Sequence, residues 1–472
     1  MVNITPAVSP LRCCLLLERP DAGPSPALRR LKRWRGRAMR ILMGCLIFAL
    51  VGQVWASPNR AEVRYSIPSL FHPVVMTGDA LPALVGTPAS RIAIYAFRDG
   101  KFKLIPHQFD RRDADGSFQF IEAGDETKEA SYELDVNDEL VFMAADAGEK
   151  TVGLPNDPGA ESATGIEVMD TATASSRWVY AVITSQPRST REAVQYVSYD
   201  TAGDVVSSDI YRASFFKEQP FLISTLSLKD PDHDQWSANL VDTMKVRHTG
   251  KLFNRFDFVR TQADYRSRLV AVKQGPVRVI RRTANRVRVF GWLRTPTILM
   301  DYLCYRQGIT MELQIDVPFR LGWFFSNLVT HMTMDWRDAP DFPETRIYSR
   351  SVTNGLTIDG KTSEAKTRFN RTGDTEFLLA NRYGMMLVRL DYGPDLPVEK
   401  NVYLSDDRQQ PDPPETVPGQ FGNIGFVTTG WERMDTAPHR MALSVVVIPH
   451  LTVQEGQKIV TMSHLGPTTP VQ

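Results

Sequence analysis

Hydrophobic and polar residues alternate with a period of two along most of the chain. The pattern is clearest in RIAIYAF (91–97), RWVYAVITS (177–185), VRVIRRTANRVRVFGW (277–292), ITMELQIDVP (309–318) and MALSVVVIPHL (441–451). These segments are rich in Val, Ile, Tyr, Phe and Thr, which favour strands. Turn clusters such as RDGK, DADGS and RTGD separate the segments, and helical periodicity over three turns is absent from the sequence. The sequence therefore predicts an all-β fold of packed antiparallel sheets.

The length of 472 residues suits two or three domains. We expect a signal peptide over residues 1–56, an N-terminal β-sandwich domain over 57–200, and a larger antiparallel C-terminal β-sandwich over 201–472. A proline-dense stretch, DDRQQPDPPETVPGQFGN (406–423), is too short to link independent domains and is interpreted as a surface loop.

The N-terminal segment has the three parts of a secretory signal. A basic region, RRLKRWRGRAMR (29–40), precedes the apolar run ILMGCLIFALVGQV (41–54) and the triplet VWA. A transmembrane helix needs about 20 apolar residues, so this run is short for an anchor. We expect cleavage before Ser57, with Met39 as an alternative start, and an uncleaved membrane anchor as the competing interpretation.

Charge and cysteine content point to the bacterial envelope. Residues 57–472 hold 46 basic and 52 acidic residues, a net charge of −6, which gives no indication of nucleic-acid binding. Cys304 is the one cysteine in that range, so no internal disulfide can form. Secreted eukaryotic proteins of this size usually carry disulfides. We expect a bacterial periplasmic or secreted protein without a transmembrane segment after signal cleavage.

Charged residues are segregated along the chain. Residues 107–170 hold 17 acidic and 4 basic residues, whereas residues 245–306 hold 15 basic and 3 acidic residues. Two interpretations are open: the two regions pair with each other across an interface, or the basic region binds an anionic ligand.

Arginines of the basic region are the predicted ligand-binding residues. Arg278, Arg282 and Arg288 lie on one predicted strand together with Arg286, and their guanidinium groups suit carboxylates and sulfates. Asn327 is added as an amide able to bind a carboxylate. An acidic glycan or another envelope component is the expected partner.

The aspartate-rich segment DADG suggests either a calcium loop or a hairpin turn. With Gly116 at position 6 of an EF-hand-like loop, the ligand positions fall on Asp113, Asp115 and Glu122. Arg111 then occupies position 1, where a carboxylate belongs, which favours a hairpin turn because Asp and Gly tolerate positive φ. No cofactor is predicted apart from calcium at these three carboxylates.

Familiar enzyme motifs are missing from the sequence. It contains no HExxH, GxSxG, P-loop or GxGxxG. Ser363 and Lys366 match S-x-x-K, but the accompanying KTG and SDN motifs are absent and the segment is predicted to be a polar loop.

The segment SNLVTHMTMDW (326–336) carries the candidate catalytic residues. As a strand it places one polar row on one face, formed by Asn327, Val329, His331, Thr333 and Asp335. His331 with Asp335 could act as an oriented base, and Tyr305 could join them. The alternative is an ordinary solvated sheet face.

Four short motifs resemble a family of bacterial secreted proteins. They are IPHQFDRRDADGSF (105–118), LDVNDELVFMA (134–144), VKQGPVRVIRR (272–282) and DYLCYRQGITMELQIDVP (301–318). In that family a small β-sandwich precedes a β-supersandwich of the galactose-mutarotase-like kind. The resemblance covers residues 65–320 and implies a fold and a polysaccharide ligand class, without assigning roles to residues.

These observations leave three function classes open. Glycan binding is the leading interpretation, and a polysaccharide lyase is the enzymatic alternative. A periplasmic lipid or outer-membrane assembly factor is the third class. A lyase would need an arginine to neutralise the uronate carboxylate and His331 or Tyr305 as base. A basic groove lined by Trp292, Trp323 or Trp336 would favour glycans, and an apolar tunnel between the sheets would favour lipid.

Overall fold

A computed structural model describes residues 62–67, 71–120, 132–153, 155, 159–171, 173–187, 194–393, 396–411, 420–436 and 438–449. The predicted signal segment lies outside these ranges, as does Glu122. Residues Arg60–Gln472 form one compact unit. The domain boundary proposed at residue 200 stays a prediction.

Twenty-seven strands occur in the described residues, which confirms the predicted all-β class. The first fourteen are β1 (Glu62–Ile67), β2 (Pro73–Thr77), β3 (Ile92–Arg98), β4 (Lys101–Leu104), β5 (His107–Asp110), β6 (Glu139–Met143), β7 (Ala160–Asp170), β8 (Ser175–Thr184), β9 (Val197–Asp200), β10 (Val205–Ser208), β11 (Tyr211–Phe215), β12 (Ile223–Leu228), β13 (Val241–Leu252) and β14 (Phe256–Arg260). The others are β15 (Tyr265–Gln274), β16 (Arg278–Phe290), β17 (Leu293–Arg294), β18 (Ile298–Tyr305), β19 (Gly308–Ile315), β20 (Phe325–Trp336), β21 (Thr345–Tyr348), β22 (Leu356–Ile358), β23 (Glu376–Asn381), β24 (Gly384–Tyr392), β25 (Glu399–Asp407), β26 (Gln420–Thr429) and β27 (His439–Ile448).

Helical structure in the described residues is limited to one six-residue α-helix and short 3₁₀ turns. The α-helix α1 (Glu364–Phe369) is capped by Ser363, whose hydroxyl accepts a hydrogen bond from the Lys366 backbone N–H at 3.2 Å. The S-x-x-K match is therefore a helix N-cap and not the polar loop that we expected. Short 3₁₀ turns occupy Gly78–Ala80, Ala89–Arg91, Ala144–Asp146, Gln262–Asp264, Leu321–Trp323 and Trp431–Arg433. Among the residues that the structure describes, no helix has the length and apolarity to cross a bilayer.

The strands form five sheets, in which only the β1–β7 pair is parallel among the described strands. The first sheet has the order β1-β7-β8-β3-β4, the small sheet β2-β6-β5, and a four-stranded sheet β12-β11-β10-β9. The front sheet has the order β14-β13-β20-β26-β25. The large sheet has the order β15-β16-β18-β19-β27-β24-β23-β21-β22, with β17 paired to β16.

Strand β6 shows how the layers of the N-terminal half follow from the sequence. Its continuous apolar run LVFM is buried on both faces, unlike the alternating strands. Leu140 and Phe142 pack in one core cluster with residues of the first sheet. Val141 and Met143 pack in another with Ile280 and Leu303 of the large sheet. The small sheet therefore lies between the first sheet and the large sheet.

The front sheet and the large sheet pack face to face and share the main hydrophobic core. Val246 and Phe426 of the front sheet belong to the same buried cluster as Tyr302, Met311 and Met441 of the large sheet. Packed sheets lie about 10 Å apart, a gap that interdigitated side chains normally fill. In this protein the side chains leave part of that gap open.

Candidate functional site

An apolar cavity of about 570 Å³ lies between the front sheet and the large sheet. From the front sheet it is lined by Met244, Val246, Phe258, Phe325, Leu328, Met332 and Phe426. From the large sheet it is lined by Val287, Met300, Met311, Leu313, Leu390 and Met441. Methionine is flexible and polarisable and adapts to apolar partners of different shape. The volume is within the range of about 300–1,000 Å³ that is usual for ligand pockets.

A second, smaller apolar cavity of about 90 Å³ lies in the same sandwich. Met244, Met311, Met332 and Phe426 line both cavities. These four side chains therefore separate the two spaces. Rotation of flexible methionine side chains would extend the larger cavity towards the smaller one.

Polar side chains of the cavity wall are hydrogen-bonded to one another around His248, whereas the buried Tyr392 hydroxyl has no hydrogen-bond partner among the described residues. His248 contacts the Thr330 hydroxyl through Nδ1 at 2.8 Å and the Tyr265 hydroxyl through Nε2 at 2.7 Å. Burial lowers the pKa of His248 to about 4, with Asp264 opposing the shift and His331 adding to it. The imidazole is therefore neutral at physiological pH. A cavity lined mainly by apolar side chains suits an apolar guest.

The cavity reaches the surface beside two arginines. Leu293, which lines it, is 50% exposed. Arg286 and Arg294 also line it and donate to the backbone carbonyls of Thr295 and Asp264, at 3.2 Å and 3.0 Å. Within the described residues neither guanidinium has a carboxylate at salt-bridge distance.

Crowding of positive charge distinguishes this opening. Desolvation, followed by repulsion from Arg266, Arg288 and Arg286, lowers the pKa of Arg294. An anion at the opening would relieve that repulsion and form charge-assisted hydrogen bonds. Sequence analysis missed Arg294 and His248; the signal for Arg294 was its place within the basic region.

The predicted ligand-binding Arg278 lies in a buried ion cluster. Its guanidinium is fully buried and lies 2.7 Å from Asp110, with Glu139 as a second carboxylate partner. Burial alone would raise the pKa of Asp110, but Lys273 and Arg278 outweigh it and lower the pKa to about 2. Contacts between the acidic and basic regions thus support the pairing interpretation at Arg278. Its role in ligand binding stays a prediction that this burial disfavours.

The other two predicted arginines are also paired. Arg282 makes a bidentate salt bridge to Asp301, with both contacts at 2.7 Å. The Nε of Arg288 donates to Asp264 at 2.9 Å. The two arginines at the cavity opening, Arg286 and Arg294, are therefore not among the three predicted ligand-binding residues.

The predicted catalytic residues do not come together. Asp335 is buried and paired with Lys245 at 2.6 Å, and the ring of His331 packs edge-on against Tyr403 in the front sheet. Burial, and then repulsion from Arg247, lowers the pKa of His331.

Tyr305 lies in the large sheet and accepts a hydrogen bond from Arg278 at 2.9 Å. Burial raises its pKa to about 12, with Arg278 opposing the shift, so the phenol is a poor base at neutral pH. Catalysis by His331, Asp335 and Tyr305 stays a prediction without geometric support.

Asn327 is not part of the predicted polar row. It has a φ of 52° and is exposed, at a point where the pairing of β13 with β20 shifts register. A bulge changes the phase of the alternation, so a strict period of two does not hold across it. Its predicted role as a ligand-binding amide is untested.

The aspartate-rich segment forms a hairpin turn. Arg112 and Phe118 form an antiparallel bridge, and Gly116 has a φ of 81° and donates to the Asp113 carbonyl at 2.9 Å. The Ser117 backbone N–H donates to the Asp113 carboxylate at 2.8 Å. Of the proposed calcium ligands, Asp113 and Asp115 lie on this turn, whereas Glu122 lies outside the described residues. Across the described ranges, no group of three or more His, Cys, Asp or Glu side chains is arranged to hold a metal.

A polar cleft of about 650 Å³ lies between this hairpin and the large sheet. Cross-strand register aligns Arg282, Asp301, Glu312 and Asp391 in one row, with Ala442 between the last two. Six carboxylates line the cleft: Asp79, Asp115, Glu139, Asp301, Glu312 and Asp391. Three arginines line it: Arg112, Arg282 and Arg440. The cleft can form hydrogen bonds to hydroxyl groups and carries an excess of negative charge.

Comparison with known proteins leaves the family open. No protein-family model and no curated protein sequence matches the chain. Among solved structures, it is similar to a 4-alpha-glucanotransferase from Thermococcus litoralis at 9% sequence identity and a TM-score of 0.28. The match covers 55% of this chain and 40% of that one. A likeness at this level carries no functional argument, so function must be argued from the site.

Proposed function

We propose that the protein binds an amphiphile, with the acyl chain in the apolar cavity and an anionic head group at the opening. The observation that carries the proposal is the cavity of about 570 Å³ in the middle of the sandwich, where a packed core would normally lie. An apolar ligand would restore the dispersion contacts that the open space lacks.

Apolar transfer and charge would supply the affinity. Each methylene group moved from water into the cavity contributes about 0.8 kcal/mol. At the opening, Arg286 and Arg294 have no carboxylate partner among the described residues, so they can donate to a carboxylate or phosphate. In this proposal the anionic group that the basic region was expected to bind contacts Arg286 and Arg294, whereas Arg278 remains in the buried ion cluster. Together with the predicted signal peptide, the proposal describes an exported lipid-binding protein of the bacterial envelope.

The test is displacement of an environment-sensitive fluorescent fatty acid, with a variant that fills the cavity. Val246 is 6% exposed and lines the cavity, so Val246→Phe places a ring in the space. We expect fluorescence enhancement with the native protein and binding at least about tenfold weaker in the variant. The matched control is Val270→Phe, because Val270 is 37% exposed and does not line the cavity. Equal binding by both variants, with unchanged melting temperatures, would refute the site.

Glycan binding is the second candidate, and the polar cleft is the observation that supports it. Because carboxylates outnumber arginines there by six to three, the cleft favours neutral sugars over the acidic glycans expected from sequence. A glycan array tests this candidate: neutral glycans bound by the native protein and lost in Glu312→Gln would support it, and no binding would remove it. The lyase alternative has weaker support, since Asp335, which was expected to orient His331, is paired with Lys245, and burial raises the pKa of Tyr305 to about 12.

A further inference from the structure

Three segments meet at the open end of the sandwich and form what we call the tip: residues 251–260, 286–294 and 317–324. The Phe253 backbone N–H donates to the Phe324 carbonyl at 2.7 Å, and the two rings pack edge-on at 5.8 Å. Arg260 Nε donates to the Arg288 carbonyl at 2.7 Å, which joins the first segment to the second. Leu293 and Leu321 of the tip also line the cavity, so the tip surrounds the opening.

The tip exposes an unusual amount of aromatic surface. It contains all five exposed phenylalanine and tryptophan side chains of the described residues: Phe253 (59%), Phe256 (57%), Phe290 (68%), Trp292 (91%) and Trp323 (69%). Exposed apolar side chains that cluster, instead of being scattered singly, mark an interaction surface. Phe253 also has a φ of 52°, which bulky residues seldom adopt and which costs free energy unless function retains it.

Positive charge accompanies the aromatic side chains. The three segments contain one acidic residue, Asp257, and seven basic residues: Lys251, Arg255, Arg260, Arg286, Arg288, Arg294 and Arg320. Asp257 pairs with Lys251 at 2.7 Å. The acidic surplus of the mature chain lies elsewhere, so the tip has the opposite sign to the rest of the protein.

We infer that the tip docks on an anionic phospholipid membrane. Aromatic side chains favour the membrane–water interface, where the ring is apolar and its edge meets head groups. Each basic residue near an anionic bilayer contributes about 1 kcal/mol, so several of them with apolar insertion give stable but reversible binding. Docking itself does not depend on the proposed function. The inference rests on the proposed function only for the role of docking, which is to bring the cavity opening to a source of amphiphile.

Co-sedimentation of the mature chain with lipid vesicles tests the inference. Vesicles of phosphatidylcholine with added phosphatidylglycerol should bind the protein, and phosphatidylcholine alone should bind it far less. Binding should fall as salt rises, because the Debye length shortens from about 10 Å at 0.1 M to about 3 Å at 1 M. Equal sedimentation with both kinds of vesicle, or none with either, would overturn the inference.

Variants paired with matched controls distinguish docking through the tip from non-specific adsorption to vesicles. The double variant Phe253→Ser and Trp292→Ser should weaken vesicle binding at least about tenfold. Arg255→Glu should weaken it at least about fivefold, the equivalent of about 1 kcal/mol. Val152→Ser and Arg368→Glu are the matched controls, since both side chains are exposed and lie outside the tip. Loss of binding in the controls to the same extent would contradict a specific docking surface.

The fluorescent fatty acid assay on the same variants separates this inference from the proposed function. Tip variants that lose vesicles but still bind the fatty acid support both proposals. Vesicle binding by a native protein that binds no fatty acid supports docking and refutes the amphiphile site. Fatty acid binding without vesicle binding refutes docking alone.

Discussion

The clearest consequence of the buried ion cluster is that Arg278 should be essential for stability. Its guanidinium holds Asp110 at 2.7 Å, contacts Glu139, and donates to Tyr305 at 2.9 Å, all in the interior. Arg278→Met keeps most of the side-chain volume but leaves two buried carboxylates short of a cation. Breaking a buried ion pair by removing one partner costs about 3–5 kcal/mol. Lys273, which lies 2.9 Å from Asp110, would offset part of this cost.

Urea denaturation at neutral pH measures the effect, with Arg268→Met as control. Arg268 is an exposed residue of the same sheet, and such substitutions usually change the free energy of unfolding by no more than about 0.5 kcal/mol. We expect a loss of about 3 kcal/mol or more for Arg278→Met and almost none for the control. An Arg278→Met variant as stable as the control, but deficient in binding an acidic glycan, would show that the ligand-binding role predicted from sequence was right.

Two further predictions concern pH and ligand length. Because the pKa of His248 is about 4 when folded and 6.5 in the reference state, unfolding takes up a proton between these values. Neutral His248 therefore stabilises the folded state fully above about pH 6.5, and about 3 kcal/mol of that stability is lost as pH falls to 4. In denaturation experiments between pH 7 and 4, the free energy of unfolding should depend less steeply on pH in His248→Gln than in the native protein. An unchanged slope would place the pKa of His248 near its ordinary value. For saturated fatty acids, affinity should rise about fourfold per methylene until the cavity is full, and affinity independent of chain length in a titration series would argue against acyl burial.

Local pattern was enough to predict the all-β class, because alternation in many segments reports which face of a strand is buried. It failed where pairing is irregular, as at Asn327, whose positive φ belongs to a register shift that the sequence does not mark. Charge segregation was visible in the sequence, but which partner each arginine takes depends on contacts between residues far apart. Arg278 and Asp110 are 168 residues apart, so the sequence left pairing and ligand binding equally open.

The cavity could not be predicted, because it arises from side chains of two sheets that fail to fill the space between them. The residues that line it, such as Val246 and Met311, look in the sequence like any other core residues. The tip left a stronger signal. Trp292 and Trp323 are two of the three tryptophans that the sequence suggests for a ligand groove, and the structure exposes both in the tip. The third, Trp336, is buried at 4% exposure. What the sequence lacked was the convergence of three distant segments at one end.

Native mass spectrometry of residues 57–472 after incubation with palmitate tests the central claim most directly. The account predicts a protein peak that carries one fatty acid, retained in Val270→Phe and strongly reduced in Val246→Phe. The same measurement on protein isolated from the cells that produce it naturally should show an amphiphile already bound. A bare chain under every one of these conditions, with no uptake of palmitate, would contradict the account.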